Sequence, residues 1–118
     1  MITISIGVNG QKETVANLGR MSEKVKKAVK EEIGASALRI QASAKRRCPV
    51  RTGALRNSIT VDLYGEMSAE IAPHMPYAMF VEFGTRKMRA RPYMTPAAEE
   101  ERPRLAKELE IIVKGGIE

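Results

Sequence analysis

Aromatic residues are scarce in this chain: two Phe, three Tyr and no Trp among 118 residues. Its interior is therefore aliphatic, drawn from Ile, Val, Leu, Met and Ala. A single cysteine, Cys48, excludes an internal disulfide framework and any multi-cysteine zinc site. The lone histidine, His74, sits between Pro73 and Met75-Pro76. Neither it nor Cys48 has the glycine elbow or helix-start setting that activates a nucleophile. No phosphate-cradling loop, dinucleotide fingerprint, EF-hand loop or HExxH motif occurs. No apolar run exceeds residues 77–81, far short of the roughly 20 needed to cross a bilayer. The start, Met1-Ile2-Thr3-Ile4-Ser5-Ile6, lacks the basic and apolar blocks of a secretion signal. The expectation is a small soluble domain made in the cytoplasm, with no catalysis, no metal or other cofactor and no membrane partner.

What is present suffices for a core. The chain is 43% hydrophobic and 29% charged, which argues against wholesale disorder. A chain of this length buries roughly two-thirds of its unfolded surface, so residues 1–118 are expected to form one domain.

The net charge of +6 is localised. No acidic residue lies between Glu32 and Asp62, whereas Arg39, Lys45, Arg46, Arg47, Arg51 and Arg56 all do. A second basic cluster comprises Arg86, Lys87, Arg89 and Arg91. Such patches attract polyanions and acidic surfaces; a merely solvated face is the competing explanation.

Hydrophobic periodicity then orders the chain. Ile2, Ile4, Ile6 and Val8 alternate with polar or small residues, the period of a half-buried strand, and Asn9-Gly10 ends it. A short helix is expected over residues 11–19. Val25, Val29, Ile33, Ala37, Ile40 and Ala44 recur at three or four, predicting a long helix from Ser22, its N-cap, to Cys48, with Pro49 as its stop. Gly34 within it would admit another backbone closely. Residues 58–64 alternate, with Ile59, Val61 and Leu63 on one face; Met67, Ala69 and Ile71 alternate in turn. Gly65-Glu66 between them predicts a hairpin with a two-residue turn. Residues 77–83 are apolar and too short to assign by period. Residues 84–93 read as a polar, basic loop. A final helix starts with Thr95 as cap and Pro96 at its first position, with Glu99, Glu100 and Glu101 solvated near its positive end. Its stripe is Ala98, Leu105, Leu109 and Ile112, with a kink or break at Pro103 and an end at Gly115-Gly116. The order implies an α+β fold: an antiparallel sheet with a central β-hairpin, one long helix and a C-terminal helix packed on it.

Two loops exceed what this architecture demands. The first, residues 49–56, carries Arg51, Thr52, Gly53 and Arg56; Pro49 fixes its exit, Gly53 permits a positive φ and Leu55 staples it to the core. The second spans Tyr77, Glu82, Gly84 and Thr85, then runs through Arg86, Lys87, Arg89, Arg91 and Pro92. Glu82 lies among Phe80, Val81 and Phe83, where a buried carboxylate needs a partner. An ion pair with Arg51 or Arg56 would satisfy it and lock the two loops together. With only Met88 and Ala90 as apolar anchors, residues 84–91 are expected to order only in an assembly.

Three phrases carry a resemblance: Pro49-Val50-Arg51-Thr52-Gly53-Ala54-Leu55-Arg56-Asn57-Ser58-Ile59, then Tyr77-Ala78-Met79-Phe80-Val81-Glu82-Phe83-Gly84-Thr85, then Arg91-Pro92-Tyr93-Met94-Thr95-Pro96-Ala97. Together, over roughly residues 20–110, the chain resembles the tail-component family of long-tailed bacteriophages, small head–tail joining or tail-completion proteins related to the lambda minor tail protein Z. Tyr93 stands where that family commonly has Phe. The resemblance implies a structural protein of a phage or prophage virion, made in the host cytoplasm and placed at the neck, where it completes the tail. It also implies a homo-oligomeric ring, sixfold on assembly, touching tail-tube and head-connector proteins. The alternative is a non-specific nucleic-acid-binding module using residues 39–56, in transient contact with DNA. Against it stands the lack of aromatic stacking platforms, two of the five aromatics reading as buried.

Overall fold

A computed structural model of the chain describes residues 3–7, 23–49, 53–64 and 68–117. Strand β1 (Ile4–Gly7) is followed by helix α1 (Glu23–Arg47), a short helix α2 (Ala54–Ser58) and strands β2 (Thr60–Tyr64) and β3 (Ser68–Ala72). Helix α3 (Ala78–Phe83) and the long helix α4 (Met94–Ile117) complete the order. The three strands form one antiparallel sheet in the order β1-β3-β2, the expected α+β architecture. The regions expected to hold a turn at Asn9-Gly10, a helix over residues 11–19 and the Ser22 cap lie outside the described residues.

The alternation in each strand sets the sheet's faces. Register pairs Ile4 and Val61 with Ile71, and Ile6 and Leu63 with Ala69. These residues share one face because side chains alternate along a strand. Ala69 and Ile71 are fully buried there, with Ile4, Ile6 and Val61 packed around them. Leu63 is the exception, 61% exposed on an edge strand. The hairpin's paired ends are Tyr64 and Ser68; its expected turn, Gly65-Glu66, and Met67 lie outside the described residues.

Helix α1 lies across the apolar face of the sheet and along α4. Its inward row is the expected one, Val25, Val29, Ile33, Ala37, Ile40 and Ala44. Gly34 is no site of close approach: a Cβ placed there would meet nothing within 4 Å. Residues 54–58, expected to lead directly into the strand, instead form the turn of helix α2, which buries Leu55 as anticipated. Gly53 precedes it at φ 81°, and its carbonyl accepts the Asn57 N–H at 2.9 Å.

Helix α4 also departs from expectation. It runs unbroken through Pro103 and past Gly115-Gly116 to Ile117. Proline removes one backbone hydrogen bond and glycine weakens a helix by about 1 kcal/mol, but neither outweighs good side-chain anchorage. Glu101 and Leu105, two residues either side of Pro103, are both buried and hold the helix on its path. Glu101 itself, expected to be solvated, is 7% exposed. No described helix is long and apolar enough to cross a membrane.

Candidate functional site: two loops, a buried carboxylate and an outward aromatic helix

The short helix α3 is built inside out. Its only charged residue, Glu82, is 3% exposed, whereas Phe80 and Phe83 are 55% and 65% exposed. Tyr77, at the N-cap position, and Met79 are exposed as well. Of the aromatic side chains described, Tyr93 alone is buried.

The inward carboxylate has a definite partner, and it is not an arginine. Glu82 Oε1 accepts the Met94 N–H at 2.7 Å and the Tyr93 and Thr95 N–H groups at 3.3 Å, while Oε2 accepts Tyr93 N–H at 3.2 Å. These donors open helix α4, whose first N–H groups have no partner within the helix. A carboxylate there satisfies them and complements the positive end of the helix dipole. The cap expected from Thr95 is thus supplied across space by Glu82. Among the described residues no arginine lies within 4 Å of this carboxylate. Arg56 is exposed, and Arg51 and Thr52 lie outside the described residues.

Tyr93 reinforces the joint. Its hydroxyl donates to the Ala78 carbonyl at 3.3 Å, so α4's entry is tied to both ends of α3. Burial pushes the Tyr93 hydroxyl well above the ordinary tyrosine range, helped by the nearby Cys48, Glu82 and Tyr77. Burial likewise raises the Cys48 thiol, with Arg56 pulling the other way; a thiol held neutral is a poor nucleophile.

Gly84 and Thr85 build the basic loop. Gly84 has φ 78°, and a Cβ there would lie 2.8 Å from Ala90 N and 2.9 Å from Met88 O. Only glycine fits both the conformation and the space. Thr85 N–H donates to the Met88 carbonyl at 2.9 Å, and Thr85 Oγ1 accepts from the Lys87 and Met88 N–H groups. At the base, Gly84 N–H donates to Phe80 O and Arg91 N–H to Val81 O, each at 2.8 Å. Residues 84–91 therefore form a loop closed by its own hydrogen bonds, where the composition pointed to order only on assembly. Arg86, Lys87, Arg89, Arg91 and Pro92 project from it into solvent.

The two loops do meet, around a groove of about 980 Å³. Leu55, Tyr77, Phe80, Val81 and Met88 give it an apolar lining; Lys87, Arg89 and Arg91 stand on the α3 side, and Pro49 and Gly53 on the other. Of the expected site residues, Gly53, Tyr77, Thr85, Lys87, Arg89 and Arg91 converge here, whereas Arg56, Glu82, Gly84, Arg86 and Pro92 are not part of the lining. Leu55, Phe80, Val81 and Met88 were not among the expected site residues. Met88, the one large apolar residue amid four cations, was the available signal.

The other basic stretch is neutralised in part from within, at Arg39 and Arg47. Arg39 bridges Glu32 at 2.6 Å and Glu101 at 2.7 Å, with Ser36 Oγ donating to Glu101 at 3.1 Å. Further along α1 a second serine–arginine pair does the same: Ser43 Oγ and Arg47 both bond to Glu100, at 3.1 and 2.8 Å. The Arg47 and Ser43 hydrogen bonds hold the Glu100 carboxyl below its ordinary range. Lys45, Arg46 and Arg56 have no carboxylate partner among the described residues.

Comparison with known proteins adds the family. The chain matches no curated protein and no solved structure. Residues 12–84 match the family model described as "Bacteriophage HK97-gp10, putative tail-component". That stretch includes the first of the three sequence phrases and all of the second but Thr85, with α3 and its inward Glu82, and stops before the third. With more than half its length matched, the chain belongs to the HK97 gp10-like family of bacteriophage tail components.

Proposed function

We propose that this chain is a structural, non-catalytic protein of a long-tailed phage or prophage virion, a single domain that completes the tail and joins it to the head connector. Copies made in the host cytoplasm would close into a ring, sixfold by the resemblance, between tail-tube and connector proteins. Family membership supports the tail assignment. The observation that carries the interface reading is helix α3, which turns Phe80 and Phe83 outward while its carboxylate holds the fold together. An isolated subunit gains nothing from exposing such residues, whereas an assembling one needs an apolar surface rimmed by charge. Gly53, Glu82, Gly84 and Thr85 would then shape the surface, and Tyr77, Arg86, Lys87, Arg89, Arg91 and Pro92 would contact neighbours. DNA binding through residues 39–56 is weakened as a reading because Arg39 and Arg47 already face carboxylates of α1 and α4.

Deleting the coding sequence from the phage or prophage tests this reading. Electron microscopy of the lysate is expected to show heads and tails that fail to join. Joined, infectious particles in normal yield would overturn it.

A further inference from the structure

We infer that the groove between α2 and the α3 loop is a docking site for an extended segment of another virion protein that carries carboxylates beside an apolar anchor. The inference rests on the reading of the chain as a tail component and specifies what that component grips. Three features select this occupant. The lining supplied by Tyr77, Phe80 and Met88 over the buried Leu55 is apolar, and those three are open to solvent, so the occupant must bring an apolar side chain to fill it. Lys87, Arg89 and Arg91 border the same groove, and none of them has a carboxylate partner among the described residues. Three uncompensated cations beside an apolar slot repel a basic segment and favour, over a neutral one, a segment with Asp or Glu flanking its anchor.

The third feature is rigidity. The loop that carries the cations is closed at its base by Gly84 N–H to Phe80 O and Arg91 N–H to Val81 O. It is braced at its tip by Thr85. The site thus exists before the partner arrives, and binding does not have to order it. A nucleic acid fits less well: among the described residues the cations of the groove, Lys87, Arg89 and Arg91, all come from one loop and stand beside an apolar lining. Within one copy, the Glu82 carboxylate cannot compete for these cations, since it is turned inward onto α4.

Selection from a display library of random dodecapeptides on the purified full chain tests the inference. The expected winners combine Asp or Glu with Leu, Ile or Phe, and compete with one another for one site. The double charge reversal Lys87→Glu with Arg89→Glu is expected to weaken them at least tenfold. Phe80→Ser should do the same, with the melting curves of both variants unchanged because all three side chains are exposed. No enrichment, enrichment of basic peptides, or winners indifferent to both variants would overturn the inference. So would a 20-mer of single-stranded DNA that displaces the winners at physiological salt, which would make the groove a nucleic-acid site. Self-association that blocks the winners and is lost in Phe80→Ser would equally refute it, by making a second copy the occupant. Failure in the peptide experiment leaves the deletion phenotype untouched, so loss of this inference and loss of the tail reading are separately visible.

Discussion

Replacing Glu82 distinguishes backbone capping from ion pairing as the role of the buried carboxylate. Glu82→Ala leaves the N–H groups of Tyr93, Met94 and Thr95 without their acceptor, the first two at fully buried residues. A buried donor left unsatisfied costs about 1–3 kcal/mol. The third donor is less buried and recovers water, so the sum is about 3–5 kcal/mol, including the cavity left by the side chain. For a domain of this size each kcal/mol lowers the melting midpoint by about 4 °C, giving a fall of about 12–20 °C. Glu82→Gln keeps one acceptor oxygen but turns an amide N–H₂ toward the Tyr93 N–H and removes the charge facing the helix dipole. A loss of about 1–2 kcal/mol is expected. Arg56→Ala should change stability by under about 0.5 kcal/mol, the ordinary range for a surface side chain. Thermal and urea unfolding followed by circular dichroism measure all three. Comparable losses for Arg56→Ala and Glu82→Ala would refute the capping argument, as would a neutral Glu82→Gln.

Three further expectations follow from the geometry. Gly84→Ala, which meets backbone below 3 Å at a positive φ, should cost more than Gly53→Ala, where a Cβ has ordinary contacts and only conformational strain of about 1–2 kcal/mol applies; paired urea titrations check the order. Arg39→Ala strands the buried Glu101 and should cost about 2–4 kcal/mol, whereas Arg47→Ala breaks an exposed pair with Glu100 and should leave the unfolding midpoint nearly unchanged. Because burial raises the Tyr93 hydroxyl in the folded state, its stabilising contribution is complete below the ordinary tyrosine range near pH ~10 and is lost as pH climbs above it. Absorbance at 295 nm should show one tyrosine ionising only as the protein unfolds, and Tyr93→Phe should abolish that phase and lessen the alkaline loss of stability.

How far the sequence disclosed this molecule depends on the range of each interaction. The α1 row from Val25 to Ala44 and the alternation around Ile71 are local periodicities, and the structure keeps both. The hairpin's register was not legible, because alternation marks strands but only the pairing of Tyr64 with Ser68 fixes it. The apolar neighbours of Glu82 correctly signalled a buried carboxylate. They could not reveal its partner, since backbone N–H groups leave no mark in composition and the donors come from a helix start 11–13 residues away. Residues 77–83 are too short to assign by period, and as a six-residue helix with one inward charge they turn Phe80 and Phe83 to solvent. Glu101 was legible in principle: it falls on the row that joins Ala97 to Leu105, both buried, and a charge on a buried row demands a partner. The matching cation, Arg39, lies 62 residues earlier, beyond any local pattern. The groove required both loops to be placed in space before its lining could be read.

Cryo-electron microscopy of purified particles, with the chain's copies located in the map, tests the tail assignment most directly. The account predicts a ring of copies at the head-proximal end of the tail, with the Phe80 and Phe83 faces covered by neighbouring protein. Complete particles that lack the chain, or copies bound along packaged DNA with those aromatics still exposed, would contradict it.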